Sequence, residues 1–149
     1  MLGWAANLRG LTRSARGYSM AHICSASDMA ETATQSSIQD PVVRSALREL
    51  DRRLRERLGR RYIKVILFGS RARGDNAPES DADVAVILHG PIADRWALKR
   101  LIIQETYLLL LETGLYIQPW PLEQNELDDP DNSANPALLW NVVRDGITA

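Results

Sequence analysis

Cysteine is nearly absent from this chain of 149 residues: Cys24 stands alone, phenylalanine occurs once, and histidine twice. A lone thiol cannot close an internal disulfide, so a reducing cytoplasm is the expected compartment. His22 and His89 are too far apart and too isolated to suggest a zinc site, and His89, beside Gly90 and Pro91, reads as a turn residue. No apolar run approaches the roughly 18 residues that a bilayer span needs, which excludes a helical membrane protein. Internal repeats and the continuous apolar core of a secretory signal are also missing.

What is present is the composition of an ordinary globular domain, 45% hydrophobic and 25% charged. That length accommodates one compact domain with a core of its own and needs no disulfide or structural metal. The net charge of -1 hides a strong asymmetry: residues 41–75 hold 11 Lys and Arg against 4 Asp and Glu, while residues 105–149 hold 8 acids and Arg144. The basic stretch suits a polyphosphate or is the solvated face of a helix; the acidic third repels nucleic acid and suits a basic partner.

Residues 1–39 are rich in Ser, Ala, Thr and Gly, lack hydrophobic periodicity and contain no acid before Asp28, so a disordered tail is expected. Arg9, Arg13 and Arg16 among serines superficially resemble a transit peptide, and Met20 and Met29 offer alternative starts within the same stretch. From Asp40 the signals become regular. Asp40 is a candidate cap and Pro41 suits the first helical position of a helix reaching Gly59, with Val43, Leu47, Leu50 and Leu54 on one face. Strands are predicted over 62–68 and 82–88, with a short helical turn and a loop between them. A long helix over 93–113 is apolar on more than one face and is expected to be largely buried. A short or edge strand, stopped by Pro119 and Pro121, follows over 115–120, then a helix over 136–144 capped by Asn135 and stopped by Gly146.

The chemistry concentrates between the first two strands, in the stretch Gly69-Ser70-Arg71-Ala72-Arg73-Gly74-Asp75-Asn76-Ala77-Pro78-Glu79-Ser80-Asp81-Ala82-Asp83. Residues two apart on a strand project to one face, so Asp81 and Asp83 stand side by side and repel unless a cation lies between them. Mg²⁺ suits such a pair, because it prefers carboxylate oxygen and completes its shell with water and substrate phosphates. Gly69 and Ser70 open the turn after a strand, where backbone N–H groups can hold phosphate, and the forked guanidiniums of Arg71 and Arg73 are candidates to neutralise it. Each element alone is commonplace; their joint order and spacing are not.

That stretch resembles the Gly-Ser, ten residues, Asp-x-Asp signature of the polymerase β-like nucleotidyltransferase superfamily, especially its minimal members. The resemblance is specific over residues 62–88 and rests on element order and length thereafter. It implies an α/β (α+β) fold, a small mixed sheet with flanking helices, over residues 40–149. It further implies a cleft for Mg²⁺ and a nucleoside triphosphate, with Gly69, Ser70, Arg71 and Arg73 on the nucleotide and Asp81 and Asp83 as catalytic metal ligands. The family pattern has a third carboxylate in a later strand, and Gln118 stands at that position. An amide neither binds a metal as strongly nor accepts a proton at neutral pH, and loss of a general base costs roughly a hundredfold or more. Glu79, Glu112 and Glu123 are the candidate substitutes.

Stand-alone minimal members resemble the antitoxin half of toxin–antitoxin pairs whose toxin is a HEPN-domain ribonuclease. This implies a cytoplasmic antitoxin that neutralises its toxin by Mg²⁺-dependent transfer of AMP from ATP, by complex formation, or by both; neither membrane association nor direct nucleic-acid binding is expected. The alternative is a binding protein that keeps the fold and has lost transfer along with the third acid. An antibiotic-modifying enzyme is a weaker third reading, because no separate acceptor domain is present. Trp120 and Trp140 are expected to pack the core or anchor a partner.

Overall fold

The structure, a computed structural model, describes residues 38–149; residues 1–37 of the expected tail, with Cys24 and His22, lie outside the described residues. Helix α1, Pro41–Leu58, begins where Asp40 Oδ1 accepts from the N–H groups of Val42 at 2.8 Å and Val43 at 3.3 Å, with Pro41 in the first turn. Ile38, two residues ahead of that cap, is already buried in the core. Strand β1, Tyr62–Phe68, runs into a single helical turn, α2, Ser70–Arg73, and a loop leads to β2, Ala82–Leu88. Helix α3, Arg95–Thr113, crosses to β3, Ile117–Glu123, and is followed by α4, Gln124–Asp128, α5, Pro136–Asp145, and β4, Ile147–Thr148.

The sheet is mixed, in the order β3-β2-β1-β4, with β2 antiparallel to β1 and parallel to β3. The fold is therefore the small mixed α/β sheet with flanking helices expected from sequence. Period-two alternation divides the core between the two sheet faces. Leu47, Leu50 and Leu54 of α1 and Ile102 and Leu109 of α3 cover Val65, Leu67, Val84 and Val86. Leu139 and Val142 of α5 cover Ile66, Phe68, Ala85, Ile87 and Leu122 on the opposite face. Each of the fully buried leucines costs about 2–5 kcal/mol to truncate to alanine.

Two expectations need correction. Strand β3 does not stop at its prolines but runs through Pro119 and Pro121 to Glu123, at the sheet edge. The reason is parity. The Tyr116 carbonyl accepts from Ala82 N–H at 2.9 Å, so the even-numbered residues turn their peptide groups toward β2 and the prolines turn theirs outward, where no donor is required. The outward Pro121 carbonyl accepts instead from the Arg95 guanidinium at 3.0 Å. Second, α3 is not largely buried: only Leu98, Ile102, Thr106 and Leu109 are, while Ile103, Tyr107, Leu108 and Leu111 face outward. Helix α5 stops at Gly146 as expected, and a short fourth strand follows it. Ile147 pairs with Leu67 and Thr148 with Ile66, and a Cβ on Gly146 would collide with the Val142 carbonyl oxygen and the Ile66 side chain.

Candidate active site at the converging strand ends

The register of the sheet brings three strand ends together. Phe68 at the end of β1 pairs with Asp83 near the start of β2, and Asp83 pairs with Gln118 near the start of β3. Gly69, Asp83 and Gln118 are thereby neighbours although they are far apart in sequence.

Gly69 is the pivot. Its backbone, φ 73° and ψ -153°, lies in a region essentially reserved for glycine, and a Cβ there would sit 3.0 Å from Asp83 Oδ2. The missing side chain thus serves both the turn and the approach of a carboxylate to the backbone. From this pivot α2 starts at once, so the Ser70 and Arg71 N–H groups fall in a first turn that provides them no intrahelical acceptor. Gly74 closes the turn in the left-handed conformation, its N–H donating to the Ser70 carbonyl at 2.8 Å.

On β2 the alternation places Ala82, Val84 and Val86 in the core beneath α1 and α3, which turns Asp83 to the opposite side with Ala85 and Ile87, and Asp81 directly precedes the strand. Asp81 is exposed and Asp83 half-buried. Asp83 Oδ1 accepts from the Trp120 indole N–H at 3.3 Å, while Oδ2 faces Gly69. Trp120 was not singled out as a site residue from sequence. The usable signal was its position two residues after Gln118 on one strand, which gives both side chains the same face.

The two arginines of the motif have other work. Arg71, whose side chain is 9% exposed, donates from Nε to the Ser80 carbonyl at 2.8 Å and from Nη2 to the Pro78 carbonyl at 3.1 Å, and its Nη1 lies 3.5 Å from Asp40. It fastens the loop that delivers Asp81. Arg73 donates to Asp145 of α5 at 2.8 Å and to Asp75 at 3.1 Å. Arg144 and Arg73 together hold the Asp145 carboxyl at about 2, below the ordinary carboxylate range, and Asp145 in turn raises the Arg73 guanidinium. Both guanidiniums are engaged within the protein, so phosphate neutralisation by either requires exchange of those bonds.

The candidate substitutes for the third acid are placed unequally. Glu112 accepts from Arg53 of α1 at 3.0 Å, and Glu123 sits at the far end of β3, opposite Leu88, accepting from Ile92 N–H at 2.9 Å. Only Glu79, exposed on the loop before Asp81, lies near the converging ends in sequence. Gln118 itself is the register partner of Asp83.

Among the described residues no group of three or more His, Cys, Asp or Glu side chains forms a metal cage. The Asp83 carboxylate, with Asp81 two residues before it and the Gln118 amide at the neighbouring register position, fits a Mg²⁺ ion that takes its remaining ligands from water and from phosphate oxygens. Asp81 and Asp83 are the residues that would hold such an ion.

Two cavities flank β3. One, of about 270 Å³, lies between α3, β3 and α5 and is walled mainly by apolar side chains, Trp120 among them. The other, of about 220 Å³, lies between α3 and the start of β3 and includes Asp81 and Gln118 with Tyr107 and Tyr116. Lys99 borders both, its Nζ 4.9 Å from the centroid of the Trp120 ring. Among the described residues no helix is long and apolar enough to cross a membrane.

The chain is similar over 72% of its length to 84% of a solved structure from Sulfolobus solfataricus described as a "putative nucleotidyltransferase", at 19% identity and a TM-score of 0.37. No curated protein matches it. The sequence pattern of the family described as "Nucleotidyltransferase domain" matches residues 47–133, more than half of the chain, from within α1 to beyond α4, and includes the converging strand ends. The chain therefore belongs to the nucleotidyltransferase domain family.

Proposed function

We propose that the protein binds a Mg²⁺–nucleoside triphosphate, ATP, at the Gly69–Ser70 turn and the Asp81–Asp83 pair, and transfers AMP to a hydroxyl of a protein partner, a HEPN-domain ribonuclease toxin that it neutralises. One observation carries the reading: Gly69, at the start of a helical turn, lies against the carboxylate of Asp83, whose Oδ2 would be 3.0 Å from a Cβ at that position. This juxtaposition brings phosphate-binding backbone and metal-binding oxygen to one point. The ion supplies charge neutralisation for the phosphates when bound.

In the transfer, the acceptor oxygen bonds to the α-phosphorus, the bond from that phosphorus to the bridging oxygen of the β-phosphate breaks, and pyrophosphate leaves. The acceptor proton passes to water, because Gln118 has no basic oxygen to receive it. Ser70 and the first N–H groups of α2 orient the triphosphate, and Arg71 positions Asp81 through the Pro78–Ser80 carbonyls. A protein acceptor suits the outer face of α3, where Trp96 is 74% exposed, Leu111 67% and Tyr107 56%. Large exposed apolar side chains gathered on one helix suit a protein contact.

A second reading, inhibition of the partner by complex formation alone, is favoured by Gln118 at the register position opposite Asp83. ATP labelled on the α-phosphate, incubated with the co-purified partner, separates the two. Label on the toxin that disappears with Asp81→Ala supports transfer, and neutralisation that survives Asp81→Ala without any label supports binding alone.

A further inference from the structure

We propose that the groove of about 270 Å³ between α3, β3 and α5 is the nucleobase subsite, and that it holds a purine by stacking without reading its edge. The inference rests on the nucleotide-binding reading above and specifies what that reading leaves open, the base.

Trp120 carries the argument because it belongs to two places at once. Its indole N–H donates to Asp83 Oδ1 at 3.3 Å, and its ring walls the groove beside Leu122, Leu138 and Leu139. A ligand that lies along Trp120 therefore has one end at a carboxylate suited to metal and phosphate and the other in an apolar slot. The chemistry matching both ends is a polyphosphate joined to a flat, weakly polar ring. Lys99 stands on the same wall and, among the described residues, makes no ion pair, which leaves its charge for the polyanionic arm. Trp96, on the outer rim, is 74% exposed and contributes aromatic surface that the protein core does not use.

The absence of edge reading follows from the best-oriented polar atoms at the rim, which are already committed. Glu126 Oε2 accepts from Arg95 at 2.9 Å and from Glu123 N–H at 2.8 Å. Arg95 also donates to the Pro121 carbonyl at 3.0 Å, and the Asn135 side-chain oxygen accepts from Leu138 N–H at 3.2 Å as the cap of α5. With Glu126 Oε2, Asn135 Oδ1 and the Arg95 guanidinium engaged, the groove discriminates chiefly by stacked area. Purines exceed pyrimidines in that respect, and adenine and guanine are equivalent.

Titration of the full chain in Mg²⁺, by calorimetry and by tryptophan fluorescence, with ATP, GTP, CTP and inorganic tripolyphosphate tests this directly. The expected result is equal affinity for ATP and GTP within about twofold, weaker binding of CTP, and binding of tripolyphosphate about tenfold or more below ATP, the usual worth of a stacked base. Leu138→Glu places a carboxylate in the groove and should bring ATP down to the tripolyphosphate level without changing tripolyphosphate itself. Trp96→Ala, at an exposed position that cannot unfold the core, should weaken ATP several-fold. Tripolyphosphate binding as tightly as ATP overturns the groove assignment while leaving the phosphate site standing. A preference above tenfold between ATP and GTP overturns stacking without edge reading. Failure of all four to bind overturns the nucleotide reading and this inference with it.

Discussion

Restoring a carboxylate at Gln118 perturbs the site in a way whose sign depends on the metal. Gln118 and Asp83 are register partners on adjacent parallel strands, whose backbones lie about 4.8 Å apart, and both side chains project to the same face. In Gln118→Asp the new charge sits roughly 5–6 Å from that of Asp83. At an effective dielectric of about 20 the repulsion amounts to about 3 kcal/mol, and solvent contact at exposed Asp81 and half-buried Asp83 reduces it to about 1–2 kcal/mol. Like-charge proximity raises a carboxyl's folded pKa above its unfolded value, so the destabilisation is present at neutral pH and relieved as the pH falls and the group protonates. Urea unfolding at neutral pH in EDTA should show the variant less stable than the parent by this amount. Added Mg²⁺ should recover most of the loss and stabilise the variant more than the parent, because a third hard oxygen ligand has joined the pair. If a partner hydroxyl is the acceptor, the same change should raise AMP transfer by about a hundredfold, the usual worth of a positioned base. Equal stability of variant and parent, with and without Mg²⁺, refutes the placement of Gln118 beside the two aspartates.

Gly69→Ala forces a side chain into glycine-only backbone space 3.0 Å from Asp83 Oδ2, so a loss of about 1–3 kcal/mol is expected in urea unfolding, with Mg²⁺-dependent nucleotide binding lost alongside it. Arg71→Ala leaves the Ser80 and Pro78 carbonyls without their donor, at a cost of about 1–3 kcal/mol, and limited proteolysis should cut within residues 74–80 faster than in the parent. Asp145, whose folded pKa is depressed to about 2 by Arg144 and then by Arg73, contributes stability that is present above about pH 4 and lost as the pH falls toward 2. Asp145→Asn should flatten that part of the acid-unfolding profile, seen as urea midpoints that change less between pH 4 and 2 than those of the parent.

Much of this architecture was legible because strong local signals agree with the tertiary outcome. The Asp40–Pro41 start of α1, the β-branched run of β1 and the glycine after α3 each specify their element through chemistry a few residues wide. The outer face of α3 was not legible. Residues 107–111 are apolar all round, and only the placement of α1 and the sheet decides that Leu109 is buried while Tyr107, Leu108 and Leu111 are not. Strand β3 was misjudged at its prolines because their effect depends on which neighbour the peptide group faces, a property of register and not of composition. The same limit applies at the site. Spacing brought Gly69, Ser70, Asp81 and Asp83 to notice, but Arg71 and Arg73 carry a charge suited to phosphate while their partners, Ser80, Pro78 and Asp145, become neighbours only once the chain is folded. Trp120 reads as core from sequence because its contact with Asp83 spans two strands.

The central claim is that Asp81 and Asp83 form a metal-dependent nucleotide site beside Gly69. Calorimetric titration of the full chain with ATP, in Mg²⁺ and in EDTA, tests it most directly when repeated on Asp83→Asn, which keeps the shape of the side chain and an oxygen for the Trp120 indole. Binding that requires Mg²⁺ and is lost in Asp83→Asn, with the folded state retained, is the predicted result. Binding of undiminished affinity in Asp83→Asn, or in EDTA, would contradict it.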